Sequence, residues 1–242
     1  MSITQEQTEW FAKTFDQMAT NIGQAVLGKQ HVVHLALTCL FSEGHLLLED
    51  FPGTGKTSLA KALANTVQGS NSRIQFTPDL LPSDVTGVTI YDQHKQAFEF
   101  HPGPIFHTIV LADEINRASP KTQSALLEVM EEGRITVDGT AHSVGRPFMV
   151  IGTQNPIEHA WTARLPEAQL DRFLMKTALG YPDHESTVAL IADSAVRDRA
   201  ATVKPIISAD SVAQMSALAD LIHVDSAIAA YVSRLAEHAR RH

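Results

Sequence analysis

The run Glu49-Asp50-Phe51-Pro52-Gly53-Thr54-Gly55-Lys56-Thr57 holds the clearest chemistry in the sequence. It lies between an apolar, strand-like Leu46-Leu47-Leu48 and a helix-like Ser58 to Ala64. A glycine-rich turn ending in Gly-Lys-Thr between strand and helix lets main-chain N–H groups approach a triphosphate. The helix N-terminus adds partial positive charge. Residues Pro52, Gly53, Thr54, Gly55, Lys56, Thr57 and Ser58 are the expected phosphate-binding set. Lys56 is placed to reach the β- and γ-phosphates, and the Thr57 hydroxyl to bind Mg²⁺. Asp50 stands where the strict pattern has its first glycine, so an ordinary Gly/Pro loop is the competing reading.

Two further signals follow in order. Ile109-Val110-Leu111-Ala112-Asp113-Glu114 sets two carboxylates at the end of an apolar strand. In a parallel sheet that end lies beside the phosphate loop. Asp113 can then hold Mg²⁺ through a water, beside Thr57, and Glu114 can polarise an attacking water; phosphoryl transfer asks mainly for positioning and charge neutralisation. Next, Phe148 to Gly152 runs into Thr153-Gln154-Asn155-Pro156, so a polar amide, Asn155, sits at the tip of another strand.

The elements that must carry these groups are legible in outline. Trp10, Phe11, Phe15, Met18 and Ile22 recur at helical spacing over 3–22, and a second helix is expected over 31–43 with Gly44 as its cap. Strands are expected at 73–77, 108–112, 148–152 and 173–179, with hairpins at 88–100 and 134–144. Ser119-Pro120 opens a helix that Gly133 closes. Strands alternating with helices predict an α/β fold with a parallel sheet. After Gly180-Tyr181-Pro182 only helices are expected, near 184–198, 208–222 and 225–240, which sets a domain boundary at 180/181.

Bulk properties narrow the field. The 242 residues carry a net charge of −8, which disfavours a nucleic-acid partner. The single cysteine, Cys39, excludes an internal disulfide and is expected at a buried helix position. No targeting or membrane-spanning segment is visible, and a cytoplasmic protein is expected. Twelve histidines show no metal-ligand spacing; His238 and His242 are read as part of a solvated helix face. No Gly-x-Ser-x-Gly elbow supports hydrolase chemistry of the serine type.

The order of motifs, with the text between them, resembles the MoxR family of AAA+ ATPases. The matching stretches include Asp79-Leu80-Leu81-Pro82-Ser83-Asp84, Gly103-Pro104-Ile105-Phe106, Ala112 to Ala118, Thr122 to Glu128, Gly152 to Glu158 and Leu165 to Phe173, within about residues 26–182. The resemblance implies a P-loop AAA+ core over 1–180, with Val88 to Phe100 as an inserted hairpin, and a partial helical lid over 181–242. It implies ATP/ADP and Mg²⁺ as cofactors, Asn155 as first sensor and homo-oligomeric, hexameric rings with nucleotide at subunit interfaces. Arg172 takes the place of the arginine finger, the alternative being a salt bridge to Asp171 or Glu167; Arg117 and Arg134 are weaker interface candidates. Chaperone-like remodelling of a protein client, with a von Willebrand factor A domain partner, is the implied function. A nucleotide-gated scaffold with little turnover and a magnesium chelatase-type subunit or helicase are the alternatives. Two departures stand out. Trp161-Thr162-Ala163-Arg164 replaces the family's usual Gly-Thr-Tyr-Pro, and the sequence stops at His242, before the lid's usual sensor arginine.

Overall fold

The computed structural model describes residues 3–155, 165–193 and 198–241. In chain order, helices α1 (Gln5–Gly23) and α2 (Gln30–Phe41) precede strand β1 (Leu46–Glu49), helix α3 (Lys56–Thr66) and strand β2 (Asn71–Gln75). A short α4 (Pro82–Thr86) leads into the hairpin β3 (Gly87–Asp92) and β4 (Ala97–Pro102). Then come β5 (Ile109–Asp113), α5 (Pro120–Glu132), the hairpin β6 (Arg134–Val137) and β7 (Thr140–Ser143), and β8 (Met149–Gln154). The chain closes with α6 (Glu167–Leu170), β9 (Met175–Thr177) and the helices α7 (His184–Ala192), α8 (Ala209–Ala219) and α9 (Ser226–Arg240).

Five strands form one sheet in the order β2-β5-β8-β1-β9, and every pairing in it is parallel. Such a sheet needs cover on both faces, and strand alternation supplies two distinct cores. Leu46, Leu48, Ile109, Leu111, Met149 and Ile151 point to one side, where they pack with residues of α1, α2, α3 and α8. Leu47, Val110, Ala112 and Val150 point to the other, against residues of α4, α5 and β6. β5 and β8 are buried at every residue, which is why they read as apolar runs up to their polar ends, Asp113 and Thr153-Gln154.

Local signals set most boundaries. Thr4 caps α1 in a reciprocal box with Gln7, and Ser119 accepts from the Thr122 N–H at the start of α5. Gly133 ends α5 at φ 62°, and the Asp138-Gly139 turn, with φ 49° and 78°, joins β6 to β7.

Several expectations are corrected. Trp10 is 37% exposed and does not join the core stripe of α1, whereas Phe11 and Phe15 pack against it. Glu43, not Gly44, takes the left-handed position after α2, at φ 51°; the Gly44 N–H donates to the Cys39 carbonyl at 2.8 Å. Gly44 is needed for space instead, because a Cβ there would lie 2.7 Å from the Leu174 side chain. β2 lies two residues earlier than expected, since register with β5 ends at Gln75 opposite Asp113. The 173–179 strand shrinks to three residues, and the first helix after Pro182 stops at Ala192. The last helix, α9, has no buried residue: Ile228, Tyr231, Val232 and Leu235, at helical spacing, are all more than half exposed.

Candidate functional site: a phosphate cleft at the strand ends

The loop after β1, the end of β5 and the end of β8 come from neighbouring strands and meet at one edge of the sheet. They enclose a cleft of about 320 Å³ lined by Pro52, Gly53, Gly55, Lys56 and Thr57 on one wall. Asp113, Glu114, Thr153, Gln154 and Asn155 line the other. Gly53 and Gly55 adopt φ of 83° and 99°, a conformation that excludes side chains bearing Cβ at low cost. α3 starts at Lys56 with no side chain capping it, so its first amides are available to an anion.

Not every expected residue faces this cleft. The Thr54 hydroxyl turns back to the Phe51 carbonyl at 3.2 Å and shapes the loop. Thr54 and Ser58 line an adjoining cavity, also about 320 Å³, whose other walls come from Ala25, Val26, Leu27 and Lys29 and from Pro182, Leu190 and Arg199. Gly53 and Gly55 border both spaces. The Lys56 ammonium donates to the Phe51 carbonyl at 2.7 Å and to the Asp50 carbonyl at 3.4 Å.

The two carboxylates are held differently. Asp113 Oδ1 accepts from the Thr153 hydroxyl at 2.5 Å, and Oδ2 accepts from Arg73 Nη2 at 2.5 Å and Nε at 3.2 Å. Glu114 sits in the left-handed region at φ 57°, ψ 48°, which costs a non-glycine residue about 1–3 kcal/mol. Its N–H donates to Thr153 Oγ1 at 2.9 Å, and its Oε2 accepts from Gln75 at 2.9 Å and Arg117 at 2.7 Å. Thr153 therefore orients both acidic residues, and the turned backbone aims Glu114 into the cleft. Asn155 is buried at the tip of β8.

Hard oxygen donors from Thr57 and Asp113 in one cleft fit Mg²⁺, which takes one or two protein ligands and completes its shell with phosphate and water. Among the described residues no cluster of three or more His, Cys, Asp or Glu side chains could hold a metal ion.

Arg172 lies outside the cleft. Its guanidinium pairs with Glu131 on α5, not with Asp171 or Glu167. Arg134 pairs with Glu132 at 3.1 Å. Trp161 to Arg164, Pro156 and His242 fall outside the described residues. Sequence reading missed Arg73, Gln75, Thr153 and the cavity beside Ser58. The polar Arg-x-Gln alternation of β2 was the available signal for the first two, since period-two residues share a face.

Residues 45–175 match the family described as "ATPase family associated with various cellular activities (AAA)". The chain is 46% identical over 222 residues to the uncharacterised YeaC of Bacillus subtilis, covering 92% of this chain and 69% of YeaC. It is 41% identical over 222 residues to Chaperone MoxR1 of Mycobacterium tuberculosis, covering 92% of this chain and 58% of that protein. A crystal structure from Cytophaga hutchinsonii, described provisionally as an ATPase, superposes with a TM-score of 0.86 at 38% identity, over 95% of this chain and 70% of that one. The parallel sheet with its phosphate loop, the two hairpins and these relatives agree: the chain belongs to the MoxR family of AAA+ ATPases.

Proposed function

We propose that the protein binds ATP with Mg²⁺, hydrolyses it to ADP and phosphate, and uses the cycle to remodel a protein client. The observation that carries this reading is the single cleft in which Lys56, Thr57, Asp113, Glu114 and Asn155 converge from three strand ends. Loop amides and the Lys56 ammonium bind the β- and γ-phosphates. Thr57 and Asp113 hold Mg²⁺, which neutralises phosphate charge when bound. Glu114 orients the attacking water and takes its proton, and Asn155 fixes the γ-phosphate. The adjoining cavity, walled by Val26, Leu27, Pro182 and Leu190 as well as by polar groups, suits the adenine base, since it shares Gly53 and Gly55 with the phosphate cleft.

Arg172 completes the site of a neighbouring subunit in a homo-oligomeric ring, which we read as hexameric. Its partial exposure at 41%, and its pairing with a surface glutamate, leave it able to turn outward. The client contact falls to the β3–β4 hairpin, where Phe98 is 74% exposed and meets Tyr91 edge-on at 5.2 Å. A relative being named a chaperone supports that role. We extend the reading to a lid formed by residues 181–242, a von Willebrand factor A domain partner and a cytoplasmic setting; no described helix is long and apolar enough to cross a membrane. ATP turnover measured against protein concentration, with mass by light scattering, tests the proposal. Activity rising with ring formation is expected, and a fully active monomer contradicts the shared site.

A further inference from the structure

Arg73 occupies the carboxylate on which the cleft would hold a divalent cation. Two nitrogens of its guanidinium converge on Asp113 Oδ2, while Oδ1 is taken by Thr153. The two partners differ in freedom. The Asp113 side chain is 11% exposed and locked by Thr153; the Arg73 side chain is 53% exposed and can move into water. Arg73 lines the same cleft as Lys56 and Thr57, so its contact lies inside the site.

We propose that Arg73 is a tethered competitor of the divalent cation: it neutralises Asp113 until a metal–nucleotide complex displaces it. This rests on reading the cleft as a magnesium–nucleotide site. A mostly buried carboxylate is costly without a counter-charge, and the forked guanidinium supplies one with two hydrogen bonds. A guanidinium and a divalent cation compete for one oxygen, because they repel each other strongly a few ångströms apart in a partly desolvated cleft. Metal entry therefore requires Arg73 to leave, and its exposure makes leaving possible. A third hydrogen bond, from the same Nη2 to Gln75 Oε1 at 2.9 Å, holds the arginine in its blocking pose.

Binding of Mn²⁺, followed by electron paramagnetic resonance of the free ion at saturating ADP, tests the inference on the full chain. Arg73→Gln should lower half-saturating Mn²⁺ about fivefold, the scale of one partly exposed ion pair plus a removed like charge. Arg73→Lys keeps the charge but loses the two-point grip, and should give a smaller shift of the same sign. Unchanged or weaker Mn²⁺ binding in both variants would overturn the proposal. ADP binding is measured in parallel with EDTA and with Mn²⁺. Binding that persists while Mn²⁺ affinity stays unmoved removes only the role of Arg73. Absence of ADP binding in the native chain removes the nucleotide reading and this inference together.

Discussion

The carboxylate of Asp50 accepts a hydrogen bond from the backbone N–H of Gly180, at 2.8 Å across 130 residues of chain. Its other oxygen accepts from the Phe51 N–H at 2.8 Å, and the residue is 3% exposed. The residue that breaks the strict phosphate-loop pattern thus tethers the loop to the segment entering the helical region. Beside it, Phe51 stacks on Tyr181 with ring centroids 5.9 Å apart, and Lys29 Nζ donates to the Tyr181 carbonyl at 2.5 Å. Asp50→Asn turns an amide donor toward one of the two N–H groups. It should destabilise the fold by about 1–3 kcal/mol, the cost of a buried donor left unpaired. Asp50→Gly, which restores the generic pattern, should destabilise the protein at least as much, not improve it. Urea unfolding of the three proteins checks both; equal midpoints would refute the tether.

Lys56→Ala removes the cation proposed above to bind the phosphates, and ATP affinity should fall below detection by calorimetry. Glu114→Gln keeps the loop and the Thr153 contact to its amide, so nucleotide should still bind. Turnover should drop about 10²- to 10⁴-fold, the usual contribution of a positioned general base. A Glu114→Gln protein that still releases phosphate at the native rate would exclude the assigned role.

The Arg172–Glu131 pair is partly exposed on both sides and contributes no more than about 1 kcal/mol. Arg172→Ala should therefore fold and assemble normally, yet lose about 10³-fold in turnover, as expected when a finger charge is removed. Mixing it with Lys56→Ala should restore part of the activity, because intact phosphate loops then meet intact arginines across interfaces. Confirmed mixed rings without recovery would rule out action in trans.

His45 predicts a pH dependence of stability. Its Nδ1 accepts from the Val150 N–H at 3.0 Å, which leaves Nε2 to donate to the Met130 carbonyl at 2.9 Å; the ring is neutral. Burial pushes its pKa below the ordinary 6.5, against a smaller opposing effect of the Met130 carbonyl. The unfolded chain then binds the proton more readily than the folded one. Stability is complete above about pH 6.5 and falls as the pH drops toward the depressed folded value. His45→Gln, with a donor and an acceptor but no titrating ring, should flatten that slope. Urea midpoints between pH 5 and pH 7.5 measure it.

Cys39 is fully buried and its thiol is pushed up to about 11 by desolvation. It should resist thiol reagents at pH 8 in the native protein and react at once in denaturant. Rapid labelling without unfolding would contradict the packing of α2.

The sequence by itself determined the chemistry that depends on neighbours along the chain. Gly53 and Gly55 around Thr54, the Asp113-Glu114 strand end, the Ser119-Pro120 start of α5 and the Asp138-Gly139 turn are local patterns, and the parallel α/β class follows from their alternation. Only the tertiary structure decided which groups meet across elements. The strand order, Arg73 on Asp113, Thr153 between two carboxylates, Asp50 on Gly180 and Arg172 on Glu131 were not legible. The physical reason is that periodicity says which face of a strand is buried, but not which strand lies beside it. Polar side chains at strand ends take whatever partner that register presents, so Asp50 could be seen as a missing glycine but not as a tether.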